Sequence, residues 1–391
     1  MQYTLTSASV HRLATDLLLT HLALVDYGRC CPARTLLTVV FAACARLTSM
    51  FAAAVGLRRA PSAETLRKAL LANLPELPLL ERRCNRVLHA SLPRLQRRRQ
   101  RLALDLTLLP YHGQPYQDAD ELYRGQVKSG TTHFHAYATA YLIQRGQRVT
   151  VALSYVRQGE DLAEVLRRLL RTARQASVCP RLLLLDRGFY AVSVLRYLQA
   201  ARQPFLMPVP LRGRTADHPK GPGGTRVFAS WKHSGFSQYR LTGPAGRSAT
   251  VGICVHCRNR RGRRGKHGRE RLVYAYWGWR PPAPGPVSAL YRQRFGIETS
   301  YRQMNQARAR TCTRNPAVRL FLVAVALVLR NVWVWLHWEV LSAKRRGGRL
   351  LRLEVLSLKA LLQMLLQVAS ECFGFTEQAP TERPIPERLG T

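Results

Sequence analysis

The stretch RLLLLDRGFY, residues 181 to 190, places a single carboxylate at the end of a segment that otherwise looks like a buried strand. Four consecutive leucines lead into Asp186, and Arg187 and Gly188 follow directly. A charged side chain is costly to bury unless it is paired, hydrogen-bonded or bound to a metal ion. Because the chain has only 22 Asp and Glu residues against 61 Lys and Arg, an acid in this position predicts a specific use for it.

Strand and helix patterns on both sides of this stretch predict a mixed sheet. Three strand-like segments precede it, and an amphipathic helix (159–176) separates the third of them from the quoted strand. A second helix (189–201) and a fifth strand (204–210) follow. Antiparallel strands followed by crossover helices describe an α/β fold in which the first and fourth strands can be neighbours. The three preceding strands are LALDLTLLPY (102–111), HFHAYATAYLI (133–143) and QRVTVALSYV (147–156).

A second acid, Asp105, lies in the middle of the first predicted strand. If the first and fourth strands are neighbours, Asp105 and Asp186 meet at one point of the sheet. Carboxylate oxygens are the ligands that Mg²⁺ and Mn²⁺ prefer, so the pair predicts a divalent metal site. Two structural alternatives stay open, because Asp186 could cap the helix near Phe189 and Asp105 could pair with Arg101.

A third acid belongs to the segment YRQRFGIETSYRQMNQ, residues 291 to 306. On a helix, the spacing of Tyr291, Arg294, Glu298 and Arg302 places all four side chains on one face. The alternative is a solvated face with an exposed Arg294–Glu298 ion pair, which would contribute little to stability. The apolar residues in and after this segment favour a partly buried helix.

The two aspartates and this helix resemble the DDE transposases of bacterial and archaeal insertion sequences that carry a Tyr-Arg-Glu signature. The resemblance covers roughly residues 100 to 335 and includes GTTHFHAYATAY, DRGFY and YRQRFGIETSYRQM. It implies a ribonuclease-H-like mixed sheet with flanking helices. It also implies a β-rich insertion between the second Asp and the Glu, which are 112 residues apart here.

The resemblance further implies the chemistry of the site. Asp105, Asp186 and Glu298 would hold two Mg²⁺ or Mn²⁺ ions that promote cleavage of DNA at transposon ends and strand transfer into target DNA. Tyr291 and Arg294 would orient a phosphate. The partners implied are double-stranded DNA, both transposon ends and target, and a second copy of the chain in the DNA complex.

One position departs from the family pattern. The family often has a Lys seven residues after the Glu, and this chain has Asn305 there. Arg302 lies on the same predicted helix face, so it is the candidate for the missing cationic contact with DNA. The departure concerns this contact and leaves the three carboxylates unaffected.

The charge of the chain independently predicts a polyanionic partner. The formal net charge is +39, and a surface of this kind repels itself unless an anion such as DNA or RNA neutralises it. An anionic membrane surface is the alternative partner. The segment RNRRGRRGKHGRER (258–271) is the most basic loop, and we expect it to hold the flanks of the DNA through four arginines: Arg260, Arg261, Arg263 and Arg264.

The sequence divides into five predicted regions. The first 100 residues are a helical DNA-binding region, in which PSAETLRKALLANL (61–74) could be the second helix of a helix-turn-helix. The remaining regions are the first part of the ribonuclease-H-like core (101–210), a β-rich basic insertion (211–287), the Glu-bearing and buried helices that complete the core (288–342), and a C-terminal helical region with a disordered tail (343–391).

The apolar runs and the cysteines of the sequence bear on its location. No signal peptide is visible, and the longest apolar run, Leu320 to Leu329, is too short to span a bilayer, so it predicts a buried helix. Nine scattered cysteines are typical of reduced thiols, which favours a cytoplasmic, nucleoid-associated protein. Cys254 and Cys257 have the spacing of zinc ligands, but no second pair follows, so we favour ordinary strand cysteines.

Two rival functions remain open at this point. A ribonuclease-H-like nuclease that cuts DNA without strand transfer would have the same sequence features. A non-catalytic DNA-binding descendant of a transposase would be expected to have lost one of the three acids, whereas all three are present.

Overall fold

The computed structural model of the protein describes residues 4–94, 100–144, 148–215, 217–259, 268–346 and 348–376. Its first part is helical, as the sequence predicts. The helices here begin after polar caps or a proline, and each turns an apolar face toward the others. They are α1 (Ser7–Leu22), α2 (Ala33–Arg46), α3 (Met50–Val55), α4 (Ala63–Asn73) and α5 (Leu77–Ala90).

The central part contains the strands of one large sheet and the helices that cover it. The strands are β1 (Arg101–Pro110), β2 (Tyr123–Lys128), β3 (Thr131–Leu142), β4 (Thr150–Val156), β5 (Leu182–Leu185), β6 (Phe205–Pro208), β7 (Gly235–Thr242), β8 (Ser248–Asn259) and β9 (Arg269–Trp277). The covering helices are α6 (Leu162–Gln175), α7 (Val192–Ala200), α8 (Pro284–Arg292) and α9 (Gly296–Gln306).

The strand order confirms the predicted neighbours. Within the described ranges the sheet runs β2-β3-β1-β5-β6-β9-β8-β7, and β4 pairs with β3. The β1–β5 and β5–β6 pairs are parallel, whereas β1 and β3 are antiparallel. Leu104 of β1 is paired with Leu185 of β5, and the next residues along the two strands are Asp105 and Asp186. The mixed α/β fold class predicted from the sequence is therefore confirmed.

Two features of the sheet were not predicted. β2, with the sequence YRGQVK, was missed because most of its side chains are exposed and it has no run of apolar residues. The strands of the β-rich segment 211–287 extend the central sheet through the antiparallel β6–β9 pair and do not form a sheet of their own. The five region boundaries proposed from the sequence remain predictions.

The two faces of the sheet are covered differently. On one face, Leu102 and Leu104 pack with apolar side chains of α6 and α7. On the other face, Ala103 shares a cluster with Ile297 of α9. Asp105 follows Ala103 by two residues, and since side chains alternate along a strand it faces the α9 side. The sheet face that carries the acid is thus the one covered by the glutamate-bearing helix.

The C-terminal part returns to the helical body. α10 (Pro316–Trp335) continues into a π-helical turn (Leu336–Val340), and a short hairpin follows, β10 (Ala343–Arg345) with β11 (Gly348–Leu350). α11 (Leu358–Phe373) then packs in the same apolar cluster as α1, α2 and α10. By length and composition Pro316–Val340 could cross a membrane, but 89% of its apolar window is buried in the protein. The predicted buried helix is confirmed.

Helices α5 and α10 cover the outer edge of strand β4 with side-chain amides. Asn85 of α5 bonds both the N–H and the carbonyl oxygen of Leu153, at 2.8 Å each. Asn331 of α10 does the same for Thr150, at 3.0 and 2.8 Å. An uncovered strand edge exposes unpaired backbone groups that can pair with another chain. The two asparagines satisfy these groups and join the helical body to the sheet.

We expect Asn85→Ala and Asn331→Ala each to lower the free energy of unfolding by about 2 kcal/mol, because each leaves a buried backbone N–H and carbonyl group without a partner. Chemical denaturation of the purified variants measures the loss. Gln126→Ala, on the exposed face of β2, is the control and should change stability by less than about 0.5 kcal/mol. Equal stability of Asn331→Ala and this control would contradict the account of the strand edge.

Candidate active site

Asp105 projects from the middle of β1 into a nearly closed space. Its side chain is 13% exposed. One carboxylate oxygen, Oδ1, accepts a hydrogen bond of 2.8 Å from the N–H of Leu106. The other, Oδ2, accepts a bond of 2.9 Å from the guanidinium of Arg294. The predicted alternative partner, Arg101, donates instead to Gln293, so the Asp105–Arg101 pair does not form.

Asp186 lies directly after β5, at the neighbouring position of the sheet. Its backbone N–H donates to the carbonyl oxygen of Leu104 at 3.3 Å, which continues the β1–β5 ladder by one residue. Its Oδ2 accepts a bond of 3.3 Å from the N–H of Gly188 and caps a short 3₁₀ turn, Arg187–Phe189. The capping alternative is therefore realised in part. It leaves Oδ1 facing Arg294 at 3.5 Å.

Glu298 comes from α9, on a segment that is not one continuous helix. The sequence predicts a single helix across residues 291 to 306, whereas a turn of 3₁₀ helix, Gln293–Phe295, separates α8 from α9. This tighter turn contains Arg294, whose side chain contacts the carboxylates of Asp105 and Asp186. The Glu298 side chain stays 52% exposed, and its Oε1 accepts from Arg294 at 3.0 Å.

The guanidinium of Arg294 lies between all three predicted catalytic acids. It is 2.9 Å from Asp105, 3.5 Å from Asp186 and 3.0 Å from Glu298, and its side chain is 6% exposed. One positive charge therefore faces three carboxylates. Over the described ranges, no three His, Cys, Asp or Glu side chains are grouped closely enough to hold a metal ion as they stand. A cation that used all three acids would have to share this space with Arg294 or displace it.

The burial of Asp105 changes its acidity. Desolvation raises the pKa of this carboxyl to about 6, Arg294 acts against the rise, and the charge of Asp186 adds to it. The folded protein thus binds this proton more tightly than the unfolded chain does. The corresponding contribution to stability is present below the unfolded value near 3.8 and is lost as the pH rises through about 6.

This pKa predicts a pH dependence for metal binding. Because a carboxylate must be deprotonated to bind a metal ion, we expect the affinity of the protein for Mn²⁺ to fall about tenfold per pH unit below about 6 and to level off above it. Titration with Mn²⁺ followed by electron paramagnetic resonance gives the profile. A flat profile between pH 5 and 7 would show that Asp105 does not take part in binding.

Two tyrosines fix the geometry around the acids. Tyr291 is buried, and its hydroxyl donates to the carbonyl oxygen of Leu185 at 3.2 Å. The hydroxyl of Tyr301 donates to the backbone oxygen of Asp105 at 3.0 Å and also bonds Thr139. Sequence reasoning assigned no role to Tyr301. Tyr301 lies seven residues after Arg294 and three after Glu298, which places it on the same helix face. This spacing could have identified it as a residue of the site.

The structure places the other predicted contacts in different surroundings. Tyr291 and Arg294 are both buried and bonded within the protein, and their expected contact with a phosphate remains a prediction. Arg302 is exposed and lines a groove beside Glu298 together with Asn305. The four arginines of the basic loop, Arg260, Arg261, Arg263 and Arg264, lie outside the described residues, and their contacts with DNA remain predictions.

The cysteine pair lies within one strand, as we favoured. Cys254 and Cys257 both belong to β8, and Cys254 is buried. Residues three apart in a strand point to opposite faces, so the two thiols cannot converge on one ion without a break in the strand.

The fold and the three acids together define a class. One strand of the mixed sheet carries an aspartate, its parallel neighbour ends directly before a second one, and a helix on the same face carries a glutamate, which agrees with the ribonuclease-H-like arrangement implied by the resemblance. The chain belongs to the transposase DDE domain family, whose model matches residues 96–330. It is therefore a member of the transposases, a class of enzymes that cut and transfer DNA.

A solved structure supports the fold. The chain is similar to the piggyBac transposase in a cryo-EM structure of its synaptic complex with hairpin DNA, with a TM-score of 0.54 and 10% sequence identity. The alignment covers 94% of this chain and 81% of that one, so it includes the helical body as well as the sheet. No curated protein sequence matches the chain.

Proposed function

We propose that this protein is a DDE transposase that uses Mg²⁺ or Mn²⁺ to cut DNA at transposon ends and to join the cut end to target DNA. The observation that carries the proposal is the convergence of Asp105, Asp186 and Glu298 on one buried guanidinium, within a fold of the transposase family. The family is generally dependent on divalent metals, and the acids found here match that requirement.

The chemistry of the donor set fits a hard divalent cation. Asp105, Asp186 and Glu298 offer carboxylate oxygens, which Mg²⁺ and Mn²⁺ prefer over nitrogen and sulfur. Two such ions, when bound, would stabilise the charge on the attacking and leaving oxygens of a phosphodiester. The exposed Glu298 and the partly exposed Asp186 leave the site open on one side, where a DNA strand can enter.

Backbone N–H groups and two side chains of the protein hold the three acids in position. The Leu106 N–H orients the Asp105 carboxylate, and Tyr301 holds the backbone of the same residue against α9. The Gly188 N–H orients Asp186. Arg294 balances part of the negative charge until a cation or a DNA substrate arrives, and we infer that it is a positioning residue for the acids. The phosphate contact expected from the sequence for this residue remains a prediction.

The partner proposed is double-stranded DNA, bound by more than one copy of the chain. The net charge of +39 provides a strong sequence-independent attraction to the phosphate backbone. The structural relative was solved in a synaptic complex with hairpin DNA, which motivates the proposal that a homodimer of this protein brings two ends together.

A strand-transfer assay with randomised DNA ends tests the proposal, because the chain itself then selects the end sequence that it joins. Duplexes with randomised ends and free 3′-hydroxyls are incubated with the full chain, supercoiled plasmid and Mn²⁺, and joined products are recovered by sequencing. A transposase gives joined products enriched in particular end sequences. Cleavage without joining would identify a nuclease instead, and the absence of both reactions would favour a non-catalytic DNA-binding protein.

A further inference from the structure

A groove of about 1120 Å³ begins at Glu298, and five of the side chains that line it are cations. The second half of β1, residues 106–110, forms one wall of it, and α9 with the segment that follows forms another. Among the described side chains that line the groove, Glu298 is the one acidic residue. We call this feature the arginine groove, and its cationic side chains are Lys128, Arg302, Arg308, Arg310 and Arg319.

With 61 Lys and Arg against 22 Asp and Glu, many cations of the protein lack an acidic partner, and those of the arginine groove are distinguished by lying together on one concave surface. Elsewhere, Arg67, Arg157, Arg167 and Arg258 each form an ion pair with Asp or Glu. Across the described part of the chain, none of the five cations of the groove pairs with a carboxylate within 4.0 Å. An external anion that neutralised these charges would therefore relieve their mutual repulsion.

One of these arginines is buried and a second is half-buried, which makes the missing countercharge costly. Arg319 is buried, stacks on the ring of Tyr111 at 4.4 Å and donates to the carbonyl oxygen of Thr313 at 2.6 Å. Arg308 is half-buried, and burial, followed by the charge of Arg310, lowers the pKa of its guanidinium. A bound anion would compensate both effects.

The segment that carries these cations is held in place before any ligand binds. The N–H of Arg310 donates to the carbonyl oxygen of Thr48 in the helical body, at 2.8 Å. The Arg319 guanidinium also bonds the carbonyl oxygen of Thr311. Arg308 donates to the side chain of Asn305 at 3.5 Å, so it stands beside the position where the family often has Lys. Preorganised cations lose little conformational entropy when they bind a ligand.

We propose that the arginine groove binds the phosphodiester backbone of the DNA strand that is cut at the three acids, through phosphate contacts from Lys128, Arg308 and Arg310. This inference rests on the proposed function. The concave shape and the position of the groove, which starts at Glu298 and follows β1 away from Asp105, suit a strand that leaves the active site. Arg319 is a positioning residue that holds the segment through its bonds to two carbonyl oxygens.

The salt dependence of DNA binding by the full chain tests the groove. The affinity for a short fluorescent duplex of arbitrary sequence is measured by anisotropy at several NaCl concentrations. For Arg308→Gln with Arg310→Gln, we expect the slope of log affinity against log salt to decrease by about two units, since each lost phosphate contact removes about 0.9. Affinity at low salt should fall at least about tenfold.

A matched pair of substitutions controls for the loss of charge. Arg171→Gln with Arg174→Gln removes the same charge from exposed positions of α6, which covers the other face of the sheet. This variant should keep the parental slope. Lys128→Gln with Arg310→Gln changes two exposed side chains and should flatten the slope without affecting the melting temperature. If both groove variants match the α6 variant, the groove does not bind DNA.

The strand-transfer assay separates this inference from the proposed function. Joining activity in the parent together with unaltered slopes in the groove variants would overturn the groove and leave the transposase assignment intact. If the groove variants have flattened slopes but the parent neither cuts nor joins DNA, the groove is supported as a nucleic-acid site and the transposase assignment is overturned.

Discussion

Asp105→Asn, Asp186→Asn and Glu298→Gln are each expected to reduce DNA cleavage and strand transfer at least about a thousandfold, which corresponds to about 4 kcal/mol of transition-state stabilisation. Each substitution replaces a charged carboxylate with a neutral amide, in a site whose chemistry depends on all three carboxylates. Binding to duplex DNA should stay within about threefold of the parent, because affinity depends on many phosphate contacts spread over the surface.

The three substitutions are chosen to preserve the local structure. An amide oxygen at position 186 can still accept from the Gly188 N–H, and one at position 105 can still accept from Leu106. Glu164→Gln, at an exposed position of α6, is the matched control for the loss of one acid and should keep full activity. Cleavage by Asp186→Asn at the parental rate would remove this residue from the site.

Arg294→Gln is expected to have the largest effect on stability. With divalent ions removed by chelation, we expect a loss of about 3–5 kcal/mol in the free energy of unfolding, because the buried Asp105 loses its cation and must either stay charged without a partner or take up a proton. The same change should raise the affinity for Mn²⁺ at least about tenfold, since a guanidinium within a few ångströms of the ion opposes its binding. Added Mn²⁺ should therefore raise the melting temperature of the variant more than that of the parent.

Arg330→Gln is the control for a general loss of stability. Arg330 is also buried, but its partners are neutral groups, namely the side chains of Gln303 and Tyr141 and the carbonyl oxygen of Arg148. Its substitution should destabilise the protein and leave the Mn²⁺ affinity unchanged. If Arg294→Gln also leaves the Mn²⁺ affinity unchanged, Arg294 and the metal do not compete for the same space.

The sequence was sufficient to predict the position of the three acids. Asp186 interrupts a run of buried leucines, and the order of strands and helices around it placed β1 next to β5, so the meeting of Asp105 with Asp186 followed from topology. Glu298 could be added because helical spacing linked it to Tyr291 and Arg294, and because the combined pattern resembles a known family.

The remaining features depend on three-dimensional contacts that no local pattern specifies. The Arg294–Glu298 spacing was compatible with an exposed ion pair, and only the packing of α9 against β1 shows that the guanidinium reaches all three acids. The arginine groove was not predicted because 61 basic residues occur throughout the chain, which makes any one cluster hard to distinguish. Its members come from β2, α9, α10 and the segment between those two helices.

A crystal structure of the full chain soaked with Mn²⁺ tests the central claim most directly, through the anomalous scattering of manganese. We expect an anomalous peak in contact with the carboxylates of Asp105, Asp186 and Glu298, with the Arg294 guanidinium moved away from at least one of them. Data collected at saturating Mn²⁺ that show no such peak, and Arg294 still bonded to all three carboxylates, would contradict the assignment of these residues as the metal site of a DDE transposase.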